Sequence, residues 1–254
     1  MKPLLFSLAL VLTSLTAAAD SASGRVYQPL ADTMTEVDRT LARASSEGKT
    51  ALIVMGANWC HDSRALATNL QEPSFAAKLE REFVIQYVNV GFLDQNFAVN
   101  RRFGLPVIFG TPTALLIDPA TGNLLNRDRV HIWGSAASFG PGETLDRLRR
   151  QARKGAPALT GDTLDTLLGK IDAFEQRQAR RIYTGFKVVG PMLAARVNGE
   201  QDEDFEHYWQ QLYQMRTQLP RDLLRLRSEA RQRVAAGERD IQLEYPVYAA
   251  FDWE

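Results

Sequence analysis

The chain has 254 residues, with 30 Lys and Arg against 30 Asp and Glu and a formal net charge of zero at pH 7. That balance argues against nucleic acid as the main partner, and the length accommodates one well-packed domain plus a smaller second unit. There is a single cysteine, Cys60, so no internal disulfide is available and stability rests on the core.

Met1-Lys2-Pro3 leads into an apolar run from Leu4 to Leu15 and then Ala17-Ala18-Ala19 before Asp20. A charged start, a short apolar core and a small-residue cleavage site read as a secretory signal peptide over residues 1–19. The run is shorter than the roughly 20 residues a spanning helix needs, and no later segment reads as a membrane span. No cysteine follows it to carry a lipid anchor. The mature protein is therefore expected to be exported, to a bacterial periplasm. An unpaired cysteine in an oxidising compartment is a liability unless buried or used, which singles out Cys60.

Residues 20–32 are polar, with a short strand predicted over 25–30. Met34, Val37, Leu41 and Ala44 recur at helical spacing over 33–47, and Gly48 stops that helix. Residues 50–55 form an apolar strand, placed centrally. A helix is predicted over 61–70, interrupted by Pro73 and resumed over 74–82, and residues 83–90 alternate like a strand. A short helix is predicted over 97–103 and a strand opened by Pro112 over 111–118. A turn at 119–122 then leads to a return strand beginning at Leu124 and Leu125. Residues 134–142 read as a small-residue loop and 143–154 as a charged helix with Leu145 and Leu148 turned inward. This order predicts an α/β fold.

Beyond Gly155-Ala156-Pro157 the pattern becomes helical. Leu164, Leu167, Leu168, Ile171 and Phe174 mark one amphipathic helix, with a break near Gly190-Pro191. Phe205, Tyr208, Trp209, Leu212, Tyr213 and Met215 mark a second. Pro220 is read as opening a third that runs to Val234, and the aromatic-rich tail 241–254 as an extended arm. The expected organisation is a signal peptide over 1–19, an α/β domain over 20–157 and a helical extension over 158–254.

The run Trp59-Cys60-His61-Asp62-Ser63 stands where strand 50–55 gives way to a helix. The first turn of a helix presents unpaired N–H groups and the positive end of the macrodipole, both of which stabilise an anion. A thiol there tends to react as the thiolate. Protonated His61 would add positive charge beside the sulfur, and Asp62 would oppose it. Ser63 stands where a partner cysteine would be.

An apolar strand, Trp59-Cys60-x-x-Ser63 at a helix start and Thr111-Pro112-Thr113 opening a later strand together resemble the thioredoxin superfamily. The resemblance implies a thioredoxin-like fold for residues 20–157, and the C-terminal α-helical extension has no counterpart in a minimal thioredoxin. It implies Cys60 as the nucleophile with His61 beside it, Ser63 at the resolving position, Pro112 as the cis-proline, and Trp59, Thr111 and Pro112 shaping a substrate groove. Two departures matter: Ser63 replaces the second cysteine, and Val54 stands where thioredoxins usually carry a buried aspartate. Both remove two-cysteine chemistry.

One thiol can still form a mixed disulfide, but its release needs an outside thiol, either the substrate's second cysteine or a small thiol such as glutathione. The expected activity is thus that of a monothiol disulfide oxidoreductase or isomerase acting on protein thiols or disulfides, with glutathione as the candidate external thiol and no resident cofactor. A second reading is a non-catalytic thioredoxin-fold binding module whose helical extension carries the partner surface. A redox sensor at Cys60 is a third. His131 and His207 read as isolated, and with Cys60 and His61 they show no zinc-ligand spacing, so no metal is assigned. The runs Arg147-Leu148-Arg149-Arg150 and Arg225-Leu226-Arg227 read as solvated helix faces. Tyr208, Trp209 and Tyr213 read as core rather than a ligand box.

Overall fold

The computed structural model describes residues 25–153 and 160–254. The signal-peptide reading of residues 1–19 and the boundary at 157/158 lie outside them. The chain is mixed α/β, with a small three-stranded sheet and a helical region.

Strand β1 (Thr50–Gly56) is the centre of the sheet. It pairs in parallel with β2 (Phe83–Asn89), Thr50 opposite Phe83 and Gly56 opposite Asn89. On its other side it runs antiparallel to β3 (Thr113–Ile117), Ala51 opposite Ile117 and Met55 opposite Thr113. A strand buried on both faces reads as a continuous apolar run, which is what Ala51–Met55 shows. Its side chains alternate between two cores, as the strand period of two requires. Leu52 and Val54 meet Leu66, Leu70, Trp133, Leu145 and Leu148 on one face. Ile53 and Met55 belong to the other core, which also holds Val37 and the buried face of the C-terminal helices.

Helix α1 (Thr33–Ser46) is capped by Asp32, whose Oδ1 accepts from Thr35 N at 3.0 Å. Helices α2 (His61–Gln71) and α3 (Pro73–Glu82) are divided at Glu72, with Pro73 opening α3. After β2 come the short α4 (Ala98–Arg102), β3, a 3₁₀ segment (Arg127–Ser138) and α5 (Pro141–Ala152). Two long helices, α6 (Asp162–Val197) and α7 (Phe205–Ala235), then pack on each other.

Five expectations about secondary structure need correction. Residues 25–30 do not form a strand: the backbone of Tyr27 pairs with a side chain, its N donating to Asn58 Oδ1 (3.2 Å) and its carbonyl accepting from Asn58 Nδ2 (2.9 Å). The return strand at 124–125 is reduced to one bridge, Ile117 with Leu124. The reason is Asn126, whose side chain takes the strand's place by accepting from Leu116 N (3.0 Å) and donating to Ala114 O (2.9 Å). The small-residue stretch 134–142 is largely helical turns rather than loop, because Trp133 and Ala136 are drawn into the core.

The fourth and fifth corrections concern proline. Helix α6 runs through Gly190-Pro191 without a break, and Pro220 lies inside α7 instead of opening a third helix. A proline removes one hydrogen bond and crowds the preceding turn, but here the buried faces decide. Val189 and Leu193 flank one proline and Leu219 and Leu223 the other, all packed in the core. Gly190 also lets α6 approach the loop after β2, since a Cβ there would sit 2.6 Å from the carbonyl oxygen of Phe92.

A buried charge cluster joins the helical region to the 3₁₀ segment. Glu175 on α6 is 1 % exposed and accepts from Arg227 Nη2 (2.6 Å) and Arg127 Nη2 (2.7 Å), and Asp172 accepts from Arg227 as well (2.8 Å). Arg227 is therefore interior, not part of a solvated face. Arg225 remains exposed. The tail 241–254 is non-regular and lies on the helices: Arg181 holds Glu254 through two bonds at 2.7 and 2.8 Å, and Tyr248 donates to Asp222 at 2.7 Å. Among the described residues no helix is long and apolar enough to cross a membrane.

Candidate thiol site

The turn after β1 delivers Cys60 to the start of α2. Cys60 is the N-cap residue, in extended backbone at φ −82° and ψ 124°, and its carbonyl accepts from Arg64 N at 3.1 Å. Its side chain does not cap the helix. The thiol turns instead to the segment before β3 and donates to the carbonyl oxygen of Thr111 at 3.1 Å. The Thr111–Pro112 peptide is cis. Cys60 is half-buried.

The neighbours of Cys60 are divided by the helix. Trp59 is tethered by its indole Nε1, which donates to Gly91 O at 2.7 Å, and its ring stacks on Phe92 with centroids 6.4 Å apart. His61 is exposed and does not line the cleft around the thiol. Asp62 accepts from Ala137 N at 2.9 Å, tying the first turn of α2 to the 3₁₀ segment. Ser63 is fully buried beneath the turn, where its Oγ accepts from Ala57 N at 3.3 Å.

Tyr27 closes the site from behind. It is 1 % exposed, and its hydroxyl donates to Ser63 O at 3.0 Å. Burial pushes this phenol well above its ordinary range, and the nearby Tyr87 and Cys60 add to the shift, so it is a neutral donor. Gly56 is what makes room for it: a Cβ there would lie 2.6 Å from the Tyr27 ring and 2.8 Å from Ser63 Oγ.

The thiol opens into a cleft of about 470 Å³. Trp59, Cys60, Thr111 and Pro112 come together there, while Ser63 and His61 lie outside it. The opposite wall is α7, through Trp209, Tyr213, Arg216, Thr217, Pro220 and Arg221. This corrects the reading of Trp209 and Tyr213 as core alone: both face the cleft, and Tyr213 is 48 % exposed. Residues 209, 213, 216 and 220 follow helical spacing, so a shared face is readable in the sequence. What that face looks onto is not.

Two of the basic groups that line the cleft, Arg216 and His131, are shifted by their surroundings. Arg216 lies with its guanidinium 4.9 Å from the Trp209 ring centroid and 5.7 Å from that of Phe186. Burial lowers it to about 10, with Cys60 acting in the opposite sense, so it is a cation at neutral pH. His131 is held below the ordinary imidazole range, first by burial and then by Arg221, against an opposing effect of Asp128. It is neutral at pH 7. A larger cleft of about 750 Å³, lined by Arg127, Arg150, Asp172 and Arg227 among others, holds none of the site residues read from the sequence. Among the described residues, no group of three or more His, Cys, Asp or Glu is placed to hold a metal ion.

No protein-family model matches the chain, and no curated protein matches it. Among solved structures, the chain is similar to the crystal structure of a disulphide isomerase from Xylella fastidiosa Temecula1. The identity is 26 %, the match covers 50 % of this chain and 97 % of that one, and the TM-score is 0.46.

Proposed function

We propose that this chain is an exported, thioredoxin-like protein that carries out thiol–disulfide exchange through one thiol. The observation that carries the reading is Cys60 at the N-terminus of α2, with its sulfur in an open cleft and 3.1 Å from the Thr111 carbonyl. The thiolate is the attacking species in such an exchange.

The Cys60 thiolate attacks one sulfur of a disulfide R–S–S–R′. The S–S bond breaks, Cys60–S–S–R forms, and R′S⁻ leaves with the electron pair and takes a proton from solvent. A second thiolate from outside then attacks the sulfur of R, and the Cys60 thiolate is regenerated. The exchange is redox-neutral for the protein. Ser63 takes no part in release: its oxygen is buried and engaged with Ala57 N, and a hydroxyl does not displace a thiolate at a useful rate. The resolving thiol belongs to the substrate protein or to a small thiol of the glutathione type. Trp59, Thr111 and Pro112 form the groove in which the incoming disulfide lies, and His61 stands at the exposed start of α2 beside the nucleophile.

Incubation with a disulfide-bonded model peptide tests this. The expected product is one covalent adduct, reversed by added glutathione and absent in Cys60→Ala. An unmodified wild-type chain would refute the reading.

A further inference from the structure

Helix α7 places a buried cation in the thiol cleft with no carboxylate paired to it among the described residues; the acidic groups that act on it are the Cys60 thiol and Tyr213. Arg216 is 6 % exposed, and its Nε is buried with no hydrogen-bond partner among those residues. Arg227, further along the same helix and equally interior, is answered by Glu175 and Asp172. A buried guanidinium without a partner is unfavourable, because desolvation is not offset by pairing. The Trp209 and Phe186 rings lie beside the guanidinium and offer its Nε no hydrogen-bond acceptor.

The surroundings favour an anion. Arg221 lies on the same wall and adds a second positive charge to the lining. The carboxylate among the lining residues, Asp62, is already engaged with Ala137 N. A guanidinium offers parallel donors that match a carboxylate. We propose that Arg216 binds the carboxylate of a small acidic thiol or its disulfide, and holds it so that the ligand sulfur meets Cys60. This rests on the exchange reading above and names the class of its external thiol: low-molecular-weight, thiol-bearing and anionic. The step is the one already written, with R a carboxylate-bearing group.

Two measurements on the full chain test it. In the first, a Cys60→Ala chain is titrated with S-methylglutathione, which keeps the carboxylates but does not exchange. Saturable binding is expected, weakened about tenfold or more by adding Arg216→Met, as loss of a charge-assisted pair implies. No binding, or equal binding by the chains with and without Arg216→Met, would overturn the proposal. In the second, chains with native Cys60 react with glutathione disulfide, which is anionic, and with cystamine, which is cationic. Arg216→Met should lower the ratio of the two rates by about tenfold, and Arg216→Lys should restore part of it. Equal slowing of both would make Arg216 a partner of the Cys60 sulfur and refute the carboxylate role. Failure of Cys60 to react with either disulfide would refute the exchange reading, while the binding titration would still decide the role of Arg216.

Discussion

Gly56→Ala is a sharp test of how the site is built. The added methyl would lie 2.6 Å from two atoms of the Tyr27 ring and 2.8 Å from Ser63 Oγ, and both residues are fully enclosed. The ring must move. That strains a packed core, which typically costs about 1–3 kcal/mol. It also pulls the Tyr27 hydroxyl from Ser63 O, now at 3.0 Å, for roughly another 1 kcal/mol. The predicted loss is therefore about 2–4 kcal/mol, read from denaturant unfolding with an unchanged m-value. Combination with Tyr27→Leu isolates the cause. The single losses should fail to add, because the smaller side chain already vacates the space, and the coupling should reach about 1 kcal/mol or more. A loss below about 0.5 kcal/mol for Gly56→Ala, or strict additivity in the cycle, would refute the steric account.

Other consequences follow from the charges. Glu175→Gln leaves Arg227 and Arg127 facing a neutral amide in the interior and should destabilise the chain by about 3–5 kcal/mol, measured by the same unfolding experiment. His131, depressed in the folded chain, makes stability pH-dependent. The unfolded chain binds its proton first, near pH 6.5, so stability falls as pH drops through about 6.5 toward the folded value and levels off below it. His131→Gln should remove that component of the slope below about pH 6.5, and an identical slope in the variant would contradict it.

Much of the α/β part is readable because its signals are local. The run Ala51–Met55 is apolar throughout, Pro73 opens a helix, and Cys60 stands at a strand-to-helix turn, so β1, α2 and α3 appear where the sequence predicts them. Long-range packing decides the rest. Pro191 and Pro220 carry a local stop signal, yet both lie within helices because the leucines around them are buried. Asn126 follows Leu124 and Leu125 in the predicted return strand, and only the structure shows its side chain, not its backbone, pairing with the edge of β3. Tyr27 reads as part of a strand and instead seals the floor of the site. The periodicity of α7 marks Trp209, Tyr213, Arg216 and Pro220 as one face, but only tertiary contact turns that face toward Cys60.

The helical region thus supplies a wall of the thiol cleft, and this bears on the binding-module alternative. A partner that used α7 would approach the sulfur as well. Cys60→Ala separates the two readings, since a pure scaffold would retain every partner captured by the native chain.

The most direct measurement is intact-mass analysis of the native chain after brief exposure to glutathione disulfide at neutral pH. The exchange account predicts one glutathione adduct, mapped to Cys60, formed by the folded chain faster than by the chain in denaturant and removed by excess thiol. A folded chain that stays unmodified while the denatured chain reacts would identify Cys60 as a protected core thiol and contradict the account.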